Sequence, residues 1–247
     1  MKKNFFLTVY YVFTALILHA QDSTKAVSRN QYVQVDIGVG YLNTNMRSIN
    51  TSLKSLGYQP VKENFATLSL STTYFLRRFL FRSEVSLILP NQVDQPNNTT
   101  TAFSGYTLSA GIGYAVIQNP RFRLYPYVGI TSFNTTLKFT DNAPVTNMDE
   151  LINSPNRNAK INFSNASLDL GIQLERMIVV RNNKWDCPQN NKYMTVGTRI
   201  GYNWSPGTVK ARYNGNQITG APEYNFQGPY IKLVIGVGKK IRDLKWK

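Results

Sequence analysis

The sequence predicts an all-β protein, an eight-stranded antiparallel up-and-down transmembrane β-barrel with long extracellular loops and short periplasmic turns. Three observations predict it. Eight segments alternate apolar and polar residues with a period of two. In the centre of each segment the apolar face carries no charge. The chain also opens with a segment of secretory type.

That opening segment is residues 1–20. Lys2 and Lys3 give a positive start, Phe5 to Leu18 form an apolar run of 14 residues, and Ala20 offers a cleavage position. The run is shorter than the ~20 apolar residues a helical span needs. The expected organisation is a signal peptide (1–20), a periplasmic leader (21–30), an outer-membrane barrel (31–242) and a C-terminal tail (243–247). The one histidine, His19, lies in the segment expected to be removed. The mature chain then lacks the commonest general base and metal ligand, so no cofactor and no metal are expected. The single cysteine, Cys187, has no internal disulfide partner and reads as an unpaired thiol in a turn.

The whole chain has 28 basic and 13 acidic residues. Removing Lys2 and Lys3 leaves a net charge of +13. No long basic run or nucleic-acid motif accompanies this surplus, so nucleic acid is not the expected partner. Many bases fall at expected strand ends: Arg77–Arg78, Arg121 and Arg123, Arg181 and Lys184, Lys239–Lys240 and Arg242. Anionic lipid head groups suit them.

The first strand, 31–42, sets Val33, Val35, Ile37, Val39 and Tyr41 against Gln34, Asp36, Gly38 and Gly40. The second, 64–76, sets Leu68, Leu70 and Tyr74 against Thr67, Ser69, Ser71 and Thr73. The third, 79–89, has Phe79, Phe81, Val85, Leu87 and Leu89 against Arg82, Glu84 and Ser86. The fourth, 104–117, has Tyr106, Leu108, Ile112 and Tyr114 against Thr107, Ser109, Gly111 and Gly113. The fifth starts at 121, with Phe122, Leu124, Val128 and Ile130 against Arg123, Tyr125, Tyr127 and Thr131. Pro126 interrupts its ladder and predicts a bulge. The sixth ends near 176, with Leu168, Leu170, Ile172 and Leu174 against Asp169, Gln173 and Glu175. The seventh, 192–204, has Met194, Val196, Ile200, Tyr202 and Trp204 against Thr195, Gly197, Arg199 and Asn203. The eighth, 229–241, has Ile231, Leu233, Ile235 and Val237 against Tyr230, Lys232, Gly236 and Gly238.

Alternation alone does not say which face is outside. Three features turn the apolar face outward. The opposite face is rich in Gly, Ser and Thr, where a solvated face would carry Lys and Glu. Short turns at 77–78 and around 119–120 alternate with expected loops at 43–63, 90–103, 135–160 and 205–228, the habit of outer-membrane barrels. Aromatics mark both ends of the apolar face: Tyr74, Phe79, Tyr114 and Phe122 at one, Tyr41, Tyr106, Tyr202 and Trp204 at the other.

With these features the chain resembles small eight-stranded outer-membrane barrels, the transmembrane domain of OmpA and the OmpX and OmpW barrels. It is also similar to "porin family" barrels of gliding-type Gram-negative bacteria, some of which serve protein secretion. The resemblance covers about residues 31–242 and includes Tyr125–Pro126–Tyr127–Val128–Gly129. Such chains usually end on an aromatic; here Trp246 is only penultimate. The resemblance implies a monomer in outer-membrane lipid, with envelope or secretion proteins as partners.

Inward-facing Asp36, Arg82, Glu84, Asp169, Glu175, Arg199 and Lys232 read as a lumen ion-pair network, since an unpaired buried charge is very unfavourable. The competing reading is a gated narrow pore lined by the same residues. Asp169 and Glu175 would be the pair for carboxylate-only catalysis, but their inward phase already has a structural reason. The Gly-x-Gly triplets at 38–40, 111–113 and 236–238 lie in strands with no helix behind them, so they make room for large neighbours rather than a phosphate loop. If the fifth strand runs on past Ile130, Phe133, Leu137 and Phe139 point inward, as do Ile161 and Phe163 of the sixth. They predict an apolar mouth, either a plug or a seat for a hydrophobic ligand. The expected function is non-enzymatic: envelope integrity, adhesion or support of a secretion apparatus. A narrow porin-like channel or a hydrophobic-ligand barrel is the alternative.

Overall fold

The computed structural model describes residues 31–95, 98–119, 121–141, 158–179, 192–207, 209–213, 216–217 and 224–241. The expected signal peptide, the leader, Cys187, Arg181, Lys184, Arg242 and the tail lie outside them. In chain order the elements are β1 (Gln31–Asn43), α1 (Arg47–Ser55), β2 (Asn64–Leu76), β3 (Phe79–Asp94), β4 (Thr99–Tyr114) and β5 (Ile117–Gln118). They continue with β6 (Phe122–Asp141), β7 (Asn158–Val179), β8 (Lys192–Trp204), β9 (Lys210–Tyr213), β10 (Asn216–Gln217) and β11 (Gly228–Ile241).

Eight of the strands close a ring in the order β1–β2–β3–β4–β6–β7–β8–β11, and β11 returns to β1. Each neighbouring pair is antiparallel. Closure leaves no open edge in the ring, so these strands pair on both sides. The predicted eight-stranded antiparallel up-and-down barrel is therefore observed. The faces are also as the alternation requires: Ile130 is 66% exposed on the outside, and its neighbour Thr131 is 4% exposed within.

The outer face is a continuous apolar belt. Ile37, Leu70, Val85, Ile112, Leu170 and Ile235 are among its exposed members. Tyr41, Tyr106, Tyr202 and Trp204 stand exposed at the loop end, Phe79 and Phe122 at the turn end. Tyr74 and Tyr114 are half-buried there, and the Tyr114 ring meets Phe79 edge-on at 5.2 Å.

Several expectations need correction. The expected loop 90–103 is mostly strand: β3 and β4 run on past the belt, leaving only 95–98 between them. A register shift between Ile88 and Asn91, at Pro90, reverses the phase of β3 and hides this extension from a period-two reading. Pro126 stands at a bulge-like irregularity, but on one edge only: between the Gly113–Tyr127 and Ile117–Leu124 pairs, three residues oppose two. Its register with β7 is unbroken from Phe122 to Thr140. On its other edge the pairing with β4 ends at Tyr127 and that with β5 begins at Leu124. The proline stands at that break, where the ladder has no bond to lose. The fourth strand ends at Tyr114, and a separate two-residue strand, β5, follows it. Finally, the segment 43–63 contains a helix, α1.

Candidate functional site

The interior is built in layers, beginning at the turn end. Phe75, Leu80, Ala115, Tyr125 and Tyr127 form a small buried floor with Tyr32 against it. Arg123 lies over this floor, fully buried, its guanidinium 4.0 Å from the centre of the Phe75 ring. The expectation that Arg123 serves lipid at a strand end is thus corrected. Its place in the inward phase of β6 prevails, and Glu175 pairs with it at 2.7 Å.

Glu175 accepts from Arg123, from Gln173 and Gln34 at 3.0 Å each, and from the Tyr125 hydroxyl at 3.3 Å. Gln173 links this layer to the next. Its oxygen accepts from Arg199 Nε at 2.7 Å and Arg82 Nη1 at 3.4 Å. Arg199 and Lys232 both donate to Glu84, which also accepts from the Ser86 hydroxyl at 2.9 Å. Arg82 stacks 3.8 Å over the Tyr127 ring and reaches Asp169 at 4.0 Å. Asp169 accepts from the Tyr230 hydroxyl at 2.6 Å, and the Tyr127 and Tyr230 hydroxyls are bonded to each other. Asp36 is held by Gln34 at 2.7 Å and by Ser71 and Thr195 at 3.4 Å each.

The structure therefore gathers Asp36, Arg82, Glu84, Asp169, Glu175, Arg199 and Lys232 into one connected set. Arg123 is the member that sequence reasoning placed elsewhere. With it, four acids face four bases among the described buried residues. Two glutamines, Gln34 and Gln173, bridge the ions, and their inward phase was the signal that could have found them. Asp169 and Glu175 touch different partners and no common atom, so they do not form a carboxylate pair.

The inward glycines are sockets for this network. A Cβ on Gly171 would lie 2.3 Å from the Tyr127 hydroxyl, and one on Gly201 2.5 Å from that of Tyr230. A Cβ on Gly236 would strike Asp36, and one on Gly238 the Tyr193 ring. Each faces its clashing partner directly across the ladder, so one strand gives up a side chain and its paired neighbour on the next strand lies over the gap.

Above the ions lies a cavity of about 20 Å³, lined by Thr67, Thr107, Thr131 and Asn203 over Glu84 and Asp169. It has room for about one water. Above that the mouth is closed. Phe133, Leu137 and Phe163 from the extended β6–β7 hairpin are buried, with Phe139 and Ile161 packed against them. They meet Ile49 and Leu53 of α1, Met46 before it, and Tyr224 and Phe226 from the segment before β11. The Phe133 and Phe226 rings are 3.9 Å apart, and Phe163 meets Tyr224 at 5.7 Å.

Two side-chain amides hold this lid by imitating backbone. Asn50 of α1 donates to Val61 O at 3.0 Å and accepts from Val61 N at 2.9 Å. Gln95, at the tip of β3–β4, accepts from Gln59 N at 2.5 Å.

Among the described residues the buried Tyr224 hydroxyl makes no well-formed hydrogen bond; the equally buried Thr44 hydroxyl is the polar group beside it. Burial raises its pKa well above that of free tyrosine. Raised in the folded state, this group contributes stability below the ordinary tyrosine pKa of ~10. That stability is lost as pH climbs toward the folded value. Tyr224→Phe should change stability at pH 7 by no more than about 1 kcal/mol, since only a weak contact with Thr44 is lost. It should also flatten the alkaline decline above pH ~10. Thermal melts of both proteins from pH 7 to 11 check this.

No protein-family model and no curated protein matches the sequence. Solved structures similar to it include Neisserial surface protein A, at 16% identity, covering 85% of this chain and 97% of that one, TM-score 0.39. Ail, the attachment invasion locus protein of Yersinia pestis, is 12% identical over 87% of this chain and 99% of its own, TM-score 0.42. The outer membrane protease OmpT from Escherichia coli is 8% identical over 89% and 100%, TM-score 0.38. Proteins so differently named leave activity to be argued from the residues of this chain.

Proposed function

We propose that the protein is exported through the segment 1–20 and spans an outer membrane as a closed, non-conducting barrel. Its role is structural or interactive: envelope integrity, adhesion or support of a secretion apparatus. The observation that carries this reading is continuous filling, from the aromatic floor through the ion network to the apolar lid. An eight-stranded lumen is just wide enough for side chains to fill, and here it is filled. The apolar belt supports the membrane placement, because water-soluble monomers keep exposed apolar patches to a few hundred Å². Buried ions facing a bundle or barrel interior are also the usual arrangement in membranes.

Charge supports an orientation. At the turn end the described residues outside the lumen include Arg77, Arg78, Arg121, Arg176, Lys192, Lys239 and Lys240, and no acid. Phospholipid phosphates are their natural neighbours, about 1 kcal/mol per cation. The hydrophobic-ligand alternative is disfavoured because Tyr224, Phe226 and α1 already occupy the apolar mouth. The chain's own lid takes the place a ligand would need.

Planar-bilayer recording tests the proposal. Purified, folded protein should add no unitary steps above membrane leak. Reproducible unitary steps would overturn the closed-barrel reading and favour the narrow channel.

A further inference from the structure

The extended β6–β7 hairpin has two unlike faces. Its inner face, Phe133, Leu137 and Phe163, is buried under the lid. Its outer face rises beyond the last belt row, Ile130–Leu168–Trp204. There Lys138 stands directly opposite Lys160. One row nearer the belt, Thr136, Asn162 and Arg212 of β9 lie side by side. Lys160, Asn162 and Arg212 are exposed, and Lys138 is half-buried. Thr136 donates to Asn162 at 2.9 Å.

Like charges placed opposite one another on a sheet are destabilising. Two described acids lie near this outer surface: Asp141, at the tip of β6 in the inward phase opposite Thr99, and Asp94 on β3, beyond β4, which accepts from Thr100. The wall therefore offers three cations interleaved with amides and hydroxyls. Cations answer phosphate, and amides with hydroxyls answer sugar hydroxyls. Its height is also informative. Lys138 lies eight residues past Ile130, about 26 Å along the strand. That is above the aliphatic belt and beside whatever head groups the outer leaflet carries.

We propose that this wall binds the phosphate-bearing glycan of an outer-leaflet glycolipid, the chemistry of lipopolysaccharide core. The proposal rests on the membrane reading above. Lys138, Lys160 and Arg212 hold the phosphates, and Thr136 and Asn162 face the sugar.

The test uses folded protein in phospholipid vesicles, titrated with purified lipopolysaccharide. Binding should be salt-sensitive. Lys138→Gln with Lys160→Gln and Arg212→Gln should weaken it roughly a hundredfold, from about a factor of five per cation. Wild-type protein should lose as much when the glycolipid is enzymatically dephosphorylated. Millimolar inorganic phosphate should compete poorly, because the sugar contacts are missing. Equal affinity for the intact and dephosphorylated glycolipid would overturn the proposal, and that arm needs no variant. So would a triple variant that binds like wild type. Unboiled samples on a denaturing gel separate the two readings. Wild-type protein with no folded-form shift removes the membrane barrel; a folded barrel indifferent to phosphate removes only this wall.

Discussion

Glu84→Gln should lower the stability of the folded barrel by about 3–5 kcal/mol, the scale for breaking a buried ion pair from one side. The change keeps the shape of the side chain and removes one charge. Glu84 is the shared acceptor of Arg199 and Lys232, and all three side chains are almost wholly buried. Without it the described lumen holds three acids against four bases. Arg199 Nη2 already lacks a partner, so without the Glu84 charge the guanidinium keeps only the neutral Gln173 oxygen at Nε. Lys232→Met alone should also destabilise, by leaving one acid in excess. Glu84→Gln with Lys232→Met restores the balance and should recover much of the loss. Urea unfolding in detergent micelles, read as loss of the folded gel form, supplies the three values. A double variant no better than the sum of its parts would mean that charge balance is not what holds the lumen.

Phe226→Ala should destabilise by about 3–5 kcal/mol, the usual range for a buried phenylalanine. The ring is 1% exposed and packs on Phe133 from across the mouth. Its loss should free the lid, with faster proteolysis of the segments flanking α1. The barrel should nevertheless stay silent in a bilayer, since the ion network beneath is intact. Lid and network are thus separable: one fixes the external surface, the other closes the lumen.

The strands were legible because a closed barrel imposes one strict rule. Neighbouring residues face lipid and lumen in turn, so Asp36, Glu84, Asp169 and Lys232 announced themselves by phase. What escaped obeys other rules. Pro90 sits at a register shift, and a reversed phase looks like the end of a strand. Arg123 was read once by phase and once by its position near Pro120, and position misled. Helix α1 is short, amphipathic and set in a polar stretch, so its Ile49 and Leu53 gave no repeat long enough to see. Tyr224 and Phe226 belong to no periodic element; only the folded chain brings them over Phe133 and Phe163. The lid was therefore expected as a mouth, and the residues that fill it came from elsewhere in the chain.

In the proposed placement the outer face meets lipid and the inner face is sealed. Adjacent residues test it most directly. In a Cys187→Ser background, Ile130→Cys and Thr131→Cys are placed one at a time in protein reconstituted into vesicles. Ile130→Cys should react with a membrane-soluble maleimide but not with a charged, water-soluble one. Thr131→Cys should react with neither. Labelling of Thr131→Cys by the water-soluble reagent would show an open lumen, and labelling of Ile130→Cys by it would place the apolar belt in water.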